Sequence, residues 1–161
     1  MANTVSKAES EEWKQISGYD QYEVSSMGRV RRNNKILKLC ITNDYYQLQL
    51  YKNGIRVNKY VHQLVLKTFK VNPNPQTLNM CDHINRNTFD NRISNLRWSN
   101  AKLNSYNRNA KGYSYYKDRN KFVAEIKVDG QKIVLGQFKY SLDARRAYLN
   151  AKSKYHSYLI R

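Results

Sequence analysis

Acidic side chains are scarce in this sequence: 12 Asp and Glu stand against 29 Lys and Arg, a formal net charge of +17. An excess of that size goes beyond what solubility requires and points to a polyanionic partner. Cysteine is scarcer, and the two present, Cys40 and Cys81, have no C-x-x-C spacing. That excludes a zinc ribbon and a disulfide scaffold, and leaves reduced thiols in a cytoplasmic setting as the expectation. Long apolar runs are missing too. Nothing approaches the ~20 residues that cross a bilayer, and MANTVSKAESEEWK at the start lacks the apolar core of a signal peptide. No membrane partner is expected. Histidine occurs three times only, so each one has to be accounted for.

What is present is a series of short patterned segments. Residues 1–11 are small, polar or charged and read as a disordered tail. From residue 12 to about 58, apolar alternation predicts strands at Gln21–Val24, Gly28–Arg32, Ile36–Leu39, Tyr45–Tyr51 and Ile55–Tyr60. Asn43-Asp44 and Asn53-Gly54 are their turns. VHQLVLKTF places Val61, Leu64, Val65 and Phe69 at helical spacing, and Pro73 and Pro75 follow it. LNMCDHI and LRWS read as strands, and NAKLNSYNRN as a polar helix, giving strand, loop, strand, helix around the stretch from Cys81 to Asn104.

The last segment, 110–161, carries the largest excess of positive charge. KFVAEIKV and QKIVLGQF flank Asp129-Gly130, a hairpin signal that pairs Val128 with Gln131, Ile126 with Ile133 and Ala124 with Leu135. The register puts Phe122, Ala124, Ile126, Val128, Ile133 and Leu135 on a core face. Lys121, Val123, Glu125, Lys127, Lys132 and Val134 fall on an open one. Like charges at Lys127 and Lys132 face each other, which is unfavourable unless something negative lies over them. A helix is expected from Ser141 as N-cap, with an Ala144, Ala147, Tyr148, Ala151 and Tyr155 stripe to cover the core face.

Chemistry concentrates in CDHINRNTFDNRISNLRWSNAKLN. Phosphodiester hydrolysis needs a cation, a base and a scaffold that aligns both with phosphorus. Asp82 offers a hard oxygen of the kind Mg²⁺ prefers, and His83 is the side chain suited to take a proton near neutral pH. Asn104 can add an amide oxygen, and Asn95 is suited to brace the intervening loop. On a regular strand Asp82 and His83 would point to opposite faces. The strand is therefore expected to end or bulge there.

These residues resemble the HNH nuclease motif of the ββα-metal fold, as found in phage-type homing endonucleases. Asp82 and His83 match its DH pair, with Asn95 12 residues and Asn104 21 residues beyond the histidine. The resemblance implies His83 as general base, Asn95 as loop brace, and Asp82 and Asn104 as ligands of a divalent metal, Mg²⁺ with Mn²⁺ as the alternative. Arg86 stands where many relatives have glycine. WKQISGYDQYEVSSMGRVR is similar to the nuclease-associated modular motif of such proteins, and residues 112–156 resemble an Apetala2-type DNA-binding domain. The implied architecture is α+β: small modules in series around the nuclease core, at 12–58, 59–109 and 110–161, ending in a three-stranded sheet on one helix.

The expected function is that of a monomeric, metal-dependent endonuclease acting on double-stranded DNA in the cytoplasm, the host's if the gene is a phage's, and cutting one strand per engagement as a homing-type nickase. Arg29, Arg31 and Arg32, with Lys121, Lys127 and Lys132, are the candidate DNA contacts. A DNA-binding protein whose nuclease site is inactive is the alternative, and an RNA-directed protein is a third reading that the duplex-binding look of the last module disfavours. His62 reads as a packing residue, His156 as part of the last helix's tail, and Trp98 as core beneath the site.

Overall fold

The computed structural model describes residues 10–156, so the expected tail lies outside the described residues up to residue 9. The chain divides into two compact units, with the boundary between Asn104 and Ser105.

The first unit opens with an antiparallel sheet of β1 (Trp13–Ile16), β2 (Tyr19–Ser25), β3 (Val30–Arg32) and β4 (Lys35–Ile36). A second sheet pairs β5 (Cys40–Thr42), β6 (Tyr45–Lys52) and β7 (Ile55–Tyr60). The turns that fold these ribbons back are Asn33-Asn34, Asn43-Asp44 and Asn53-Gly54, each with positive φ at both positions. Asn, Asp and Gly tolerate that geometry, and its twist matches the flanking strands. Helix α1 (Val61–Phe69) follows β7 directly and buries Val61, Leu64, Val65 and Leu66, the apolar face of its 3.6-residue pattern. It packs against β1, β2, β6 and β7 and against a two-stranded ribbon of β8 (Met80–His83) and β9 (Leu96–Ser99). One hydrophobic cluster joins Ile16, Val24 and Val30 to Leu50, Leu66 and Leu96. The two modules expected at 12–58 and 59–109 thus share a core. Helix α2 (Ala101–Asn107) follows β9.

The second unit is a three-stranded sheet, β10 (Tyr113–Tyr116), β11 (Lys121–Val128) and β12 (Gln131–Phe138), with α3 (Ser141–Tyr155) packed on it. Ile126, Tyr148 and Ala151 are its buried centre. The hairpin register matches the expected one at Val128–Gln131 and Ile126–Ile133, but a bulge between Ala124 and Glu125 pairs Ala124 with Gly136 instead of Leu135. Val123, expected on the open face, is buried alongside Ala124. The cap of α3 is Tyr140 and not the expected Ser141, which is the first residue of the helix, and Tyr140 makes no side-chain capping bond. Among the described residues no helix is long and apolar enough to cross a membrane.

Candidate functional site

Strand β8 delivers Asp82 and His83, and both are nearly buried, at 9% and 5% exposure. The ladder to β9 is regular, with Asp82 opposite Arg97 and His83 opposite Leu96. The strand includes His83 before it ends and no bulge interrupts it, so both residues stay on the regular ladder instead of falling at a break in it. The chain then turns through Arg86, whose φ of +66° is the left-handed conformation that a glycine would take without strain.

The loop from Ile84 to Asn95 is held by asparagines. Asn95 accepts from the backbone N–H of Asn85 at 2.9 Å and donates to the carbonyl of Asp90 at 2.7 Å, using both halves of its amide. Asn85 caps the turn by accepting from Asn87 N–H at 2.8 Å and donating to Asp90 at 2.8 Å. Arg92 closes on Asp90 at 2.7 and 2.8 Å and, with help from Asn85, holds its pKa down at about 2.

His83 is seated by a residue the sequence reading passed over. Its Nε2 lies 3.0 Å from Oδ1 of Asn91, which is itself 4% exposed. An amide oxygen only accepts, so the proton of a neutral His83 sits on Nε2 and the lone pair on Nδ1. The ring is flanked by His62 at 5.2 Å and Tyr45 at 6.0 Å between centroids. His62 in turn lies against Tyr60 at 5.5 Å and Tyr45 at 4.9 Å. Burial, and then the charge of His83, push the His62 pKa down to about 4. Neither Tyr45 nor Asn91 carried a local signal; each meets His83 only once the chain has folded.

Asp82 accepts on Oδ2 from Nε and Nη2 of Arg97, at 2.9 and 2.6 Å. Arg97 is the second residue missed, although its place opposite Asp82 followed once β8 and β9 were paired. Asn104, on α2, donates to Sδ of Met80 at 3.7 Å, while its Oδ1 is buried without a hydrogen-bond partner. Nδ1 of His62 is likewise buried and unpartnered, and both residues line a cavity of about 260 Å³. Cys81 and Met80 line it as well; Asp82 does not. The Cys81 thiol donates to the His62 carbonyl at 3.8 Å, and burial, then Asp82, push its pKa up to about 12, so it is inert.

Among the described residues no cluster of three or more His, Cys, Asp or Glu is placed to hold a metal ion. A metal here would lean on one carboxylate and an amide oxygen, with water and phosphate completing the shell. That suits a hard divalent cation, and the unpartnered Oδ1 of Asn104 fits such a role.

The candidate DNA contacts are dispersed. Arg29 pairs with Glu11, with Nε at 2.8 Å from the carboxylate. Arg31 grips Glu23 at 2.7 and 3.0 Å, holding that carboxyl below its usual range, and lies over the Trp13 ring. Arg32 bonds Gln21. In the second unit Lys121 is half-buried, Lys127 is exposed, and Lys132 pairs with Glu125 at 2.7 Å.

Proteins similar to this chain are HNH endonucleases, a class that generally uses a divalent metal. Residues 11–51 match the NUMOD4 motif. An uncharacterized HNH endonuclease of Acanthamoeba polyphaga mimivirus is 38% identical over 95 residues, covering 58% of this chain and 28% of the relative. The DNA endonuclease I-HmuI of Bacillus phage SP01 is 35% identical over 105 residues, 63% of this chain and 59% of the relative. A solved structure of I-HmuI, a study of its DNA binding and cleavage, matches with a TM-score of 0.57 at 29% identity and covers 76% of each chain. The chain therefore spans about a quarter of the viral relative's length and over half of the phage relative's.

Proposed function

We propose that this chain is a metal-dependent HNH endonuclease that binds duplex DNA and hydrolyses phosphodiester bonds, nicking one strand per engagement in the manner of a homing enzyme. What carries the reading is the setting of His83. It is buried at the end of β8, held at Nε2 by Asn91, and lies within a chain that resembles I-HmuI in both sequence and fold.

In this reading Nδ1 of His83 takes the proton of the attacking water. Asn95 keeps the loop after His83 closed by its two bonds. Asp82 and Asn104 hold a divalent cation, Mg²⁺ in the first instance, which when bound supplies positive charge for the developing phosphorane and the leaving 3′ oxygen. A monomer with one such site nicks. The second unit serves as a duplex-binding module of Apetala2 type, with Lys121, Lys127 and Lys132 on or beside its sheet, and Arg29, Arg31 and Arg32 contribute from the first.

One observation favours the alternative of a DNA-binding protein that does not cut. Asp82 already has a cation, since Arg97 occupies its Oδ2. A supercoiled-plasmid assay carrying genomic inserts, run with Mg²⁺, with EDTA and with His83→Ala, tests both. Metal-dependent open circles, reduced roughly 10²–10⁴-fold by His83→Ala with duplex affinity intact, are expected. Duplex binding without cleavage on any insert, together with no Mn²⁺ bound in solution, would establish the alternative.

A further inference from the structure

The NUMOD4-matched segment ends its second strand in a turn whose construction bears on the candidate base. Ser25 is fully buried, and its Oγ accepts from the backbone N–H groups of Arg29 at 2.9 Å and Met27 at 3.3 Å. Ser26 receives the Glu12 N–H on its Oγ at 3.0 Å and donates its own N–H to the Glu12 carbonyl at 2.8 Å. Its carbonyl accepts from the N–H of Ile93 at 2.8 Å, which fastens the turn to the loop that carries Asn91. Gly28 completes the contact. It holds a φ of +86°, and a Cβ placed on it would lie 2.7 Å from Cβ of Asn91 and 3.2 Å from its carbonyl oxygen. Real Cβ atoms do not approach that closely, so only glycine lets the turn sit flush on Asn91.

We propose that the turn from Ser25 to Arg29 is part of the catalytic apparatus: it seats Asn91, and Asn91 is a positioning residue that fixes the ring and tautomer of His83. The proposal rests on the nuclease reading for its consequence, but not for its geometry. Asn91 does not touch the reacting atoms. Its amide oxygen keeps the proton on Nε2 and thereby leaves the Nδ1 lone pair as the base. Burial leaves Asn91 no room to relax, so a shift of its backbone is transmitted to the histidine. On this account the matched segment does more than contact DNA. Its turn is continuous with the active-site loop, and the nuclease centre is incomplete without it.

The test reads the tautomer directly, by long-range ¹H–¹⁵N correlation of the full chain at alkaline pH, with the His83 signals assigned by loss in His83→Gln. The wild type is expected to show the proton on Nε2. Asn91→Asp keeps an acceptor of the same shape and retains that signature. Asn91→Leu, of similar volume but without an acceptor, gives a mixture of tautomers. Gly28→Ala gives the same mixture although it alters no group that bonds to His83. Ser25→Ala, which only removes the two bonds shaping the turn, is the milder version for use if Gly28→Ala does not fold. Cleavage should fall roughly 10²-fold in the Leu and Ala variants, the scale of a misplacement of about 1 Å, with duplex affinity unchanged and the Asp variant restoring most of the rate. An unchanged tautomer in Asn91→Leu and in the folded turn variant would overturn the proposal. So would a turn variant that weakens DNA binding while His83 keeps its signature, since the turn would then be a DNA contact. If the wild type cuts no DNA but the tautomer responds as described, the nuclease reading fails and the seat stands.

Discussion

One buried imidazole makes the stability of the first unit sensitive to acid. His62 is 7% exposed, and its folded pKa of about 4 lies below the ordinary 6.5 because burial opposes its charge. Below pH 6.5 the unfolded chain binds a proton that the folded chain refuses. Stability is therefore lost as pH falls through the range from 6.5 to about 4, and no further below it. The loss should reach about 2 kcal/mol between about pH 7 and about pH 5. Urea unfolding followed by tryptophan fluorescence reports on this unit, since both tryptophans, Trp13 and Trp98, belong to it. His62→Gln, which cannot charge, should lose clearly less across the same range; an unchanged pH dependence would show that His62 is not the group responsible. Asp90 acts in the same direction at lower pH. Its depressed pKa contributes stability that is present above the ordinary 3.8 and is lost only as pH falls toward 2. The two effects occupy separate windows and can be read apart.

At the scale of elements, helix α1 and strand β9 are tied by a reciprocal pair of bonds. Trp98 donates its indole N–H to the Lys70 carbonyl at 3.0 Å, and Lys70 donates Nζ to the Leu96 carbonyl at 2.6 Å. This tie holds the β8–β9 ribbon against the helix that carries His62. Trp98→Phe keeps a ring in place but removes the donor, leaving the Lys70 carbonyl unmatched by the indole. A cost of about 1–2 kcal/mol is expected, seen as a lower urea midpoint with unchanged slope by circular dichroism. Trp98 was legible in the sequence as a core aromatic, and it is half-buried against the cluster; its partner was not legible, because Lys70 comes near only when the helix docks. The same division runs through the molecule. Helix α1 could be read to its ends from the spacing of Val61, Leu64, Val65 and Phe69. Strands β1 and β5 were not seen, since WKQI and CIT are short and their polar or exposed positions leave little alternation to read. The Ala124 bulge was invisible because hairpin rules carry the register outward from the turn and contain no term for a slipped residue. In the site, Asp82, His83, Asn95 and Asn104 stood at a spacing that could be recognised. Asn91, Arg97 and Gly28 did not, since what they do is defined by neighbours that pairing and packing bring to them.

At the scale of the molecule, charge is distributed by how much of it is already spent inside the fold. Arg29, Arg31 and Arg32 each bond a side chain of the first unit, and Lys132 bonds Glu125 in the second. Lys127 lies on the same strand as Glu125, exposed, at the register position directly opposite Lys132. Two ammonium groups facing each other across a hairpin raise the local potential, and the single carboxylate of Glu125 offsets one of them. A phosphate backbone laid over this face would relieve the remainder, with release of condensed counterions from the duplex. If the sheet is a duplex-binding face, the logarithm of the association constant falls linearly with the logarithm of salt concentration. Lys127→Ala should flatten that slope by about 0.9, the value for one neutralised phosphate. The weakening should be the same on unrelated duplex sequences, because a phosphate contact carries no base information. Glu125→Gln should act in the other direction, freeing Lys132 and strengthening binding at low salt while leaving high-salt affinity nearly unchanged. Filter-binding or anisotropy titrations over a range of salt concentrations decide the matter: slopes for both variants equal to the wild type's would remove this face from the DNA interface and leave the +17 excess to be assigned elsewhere on the chain.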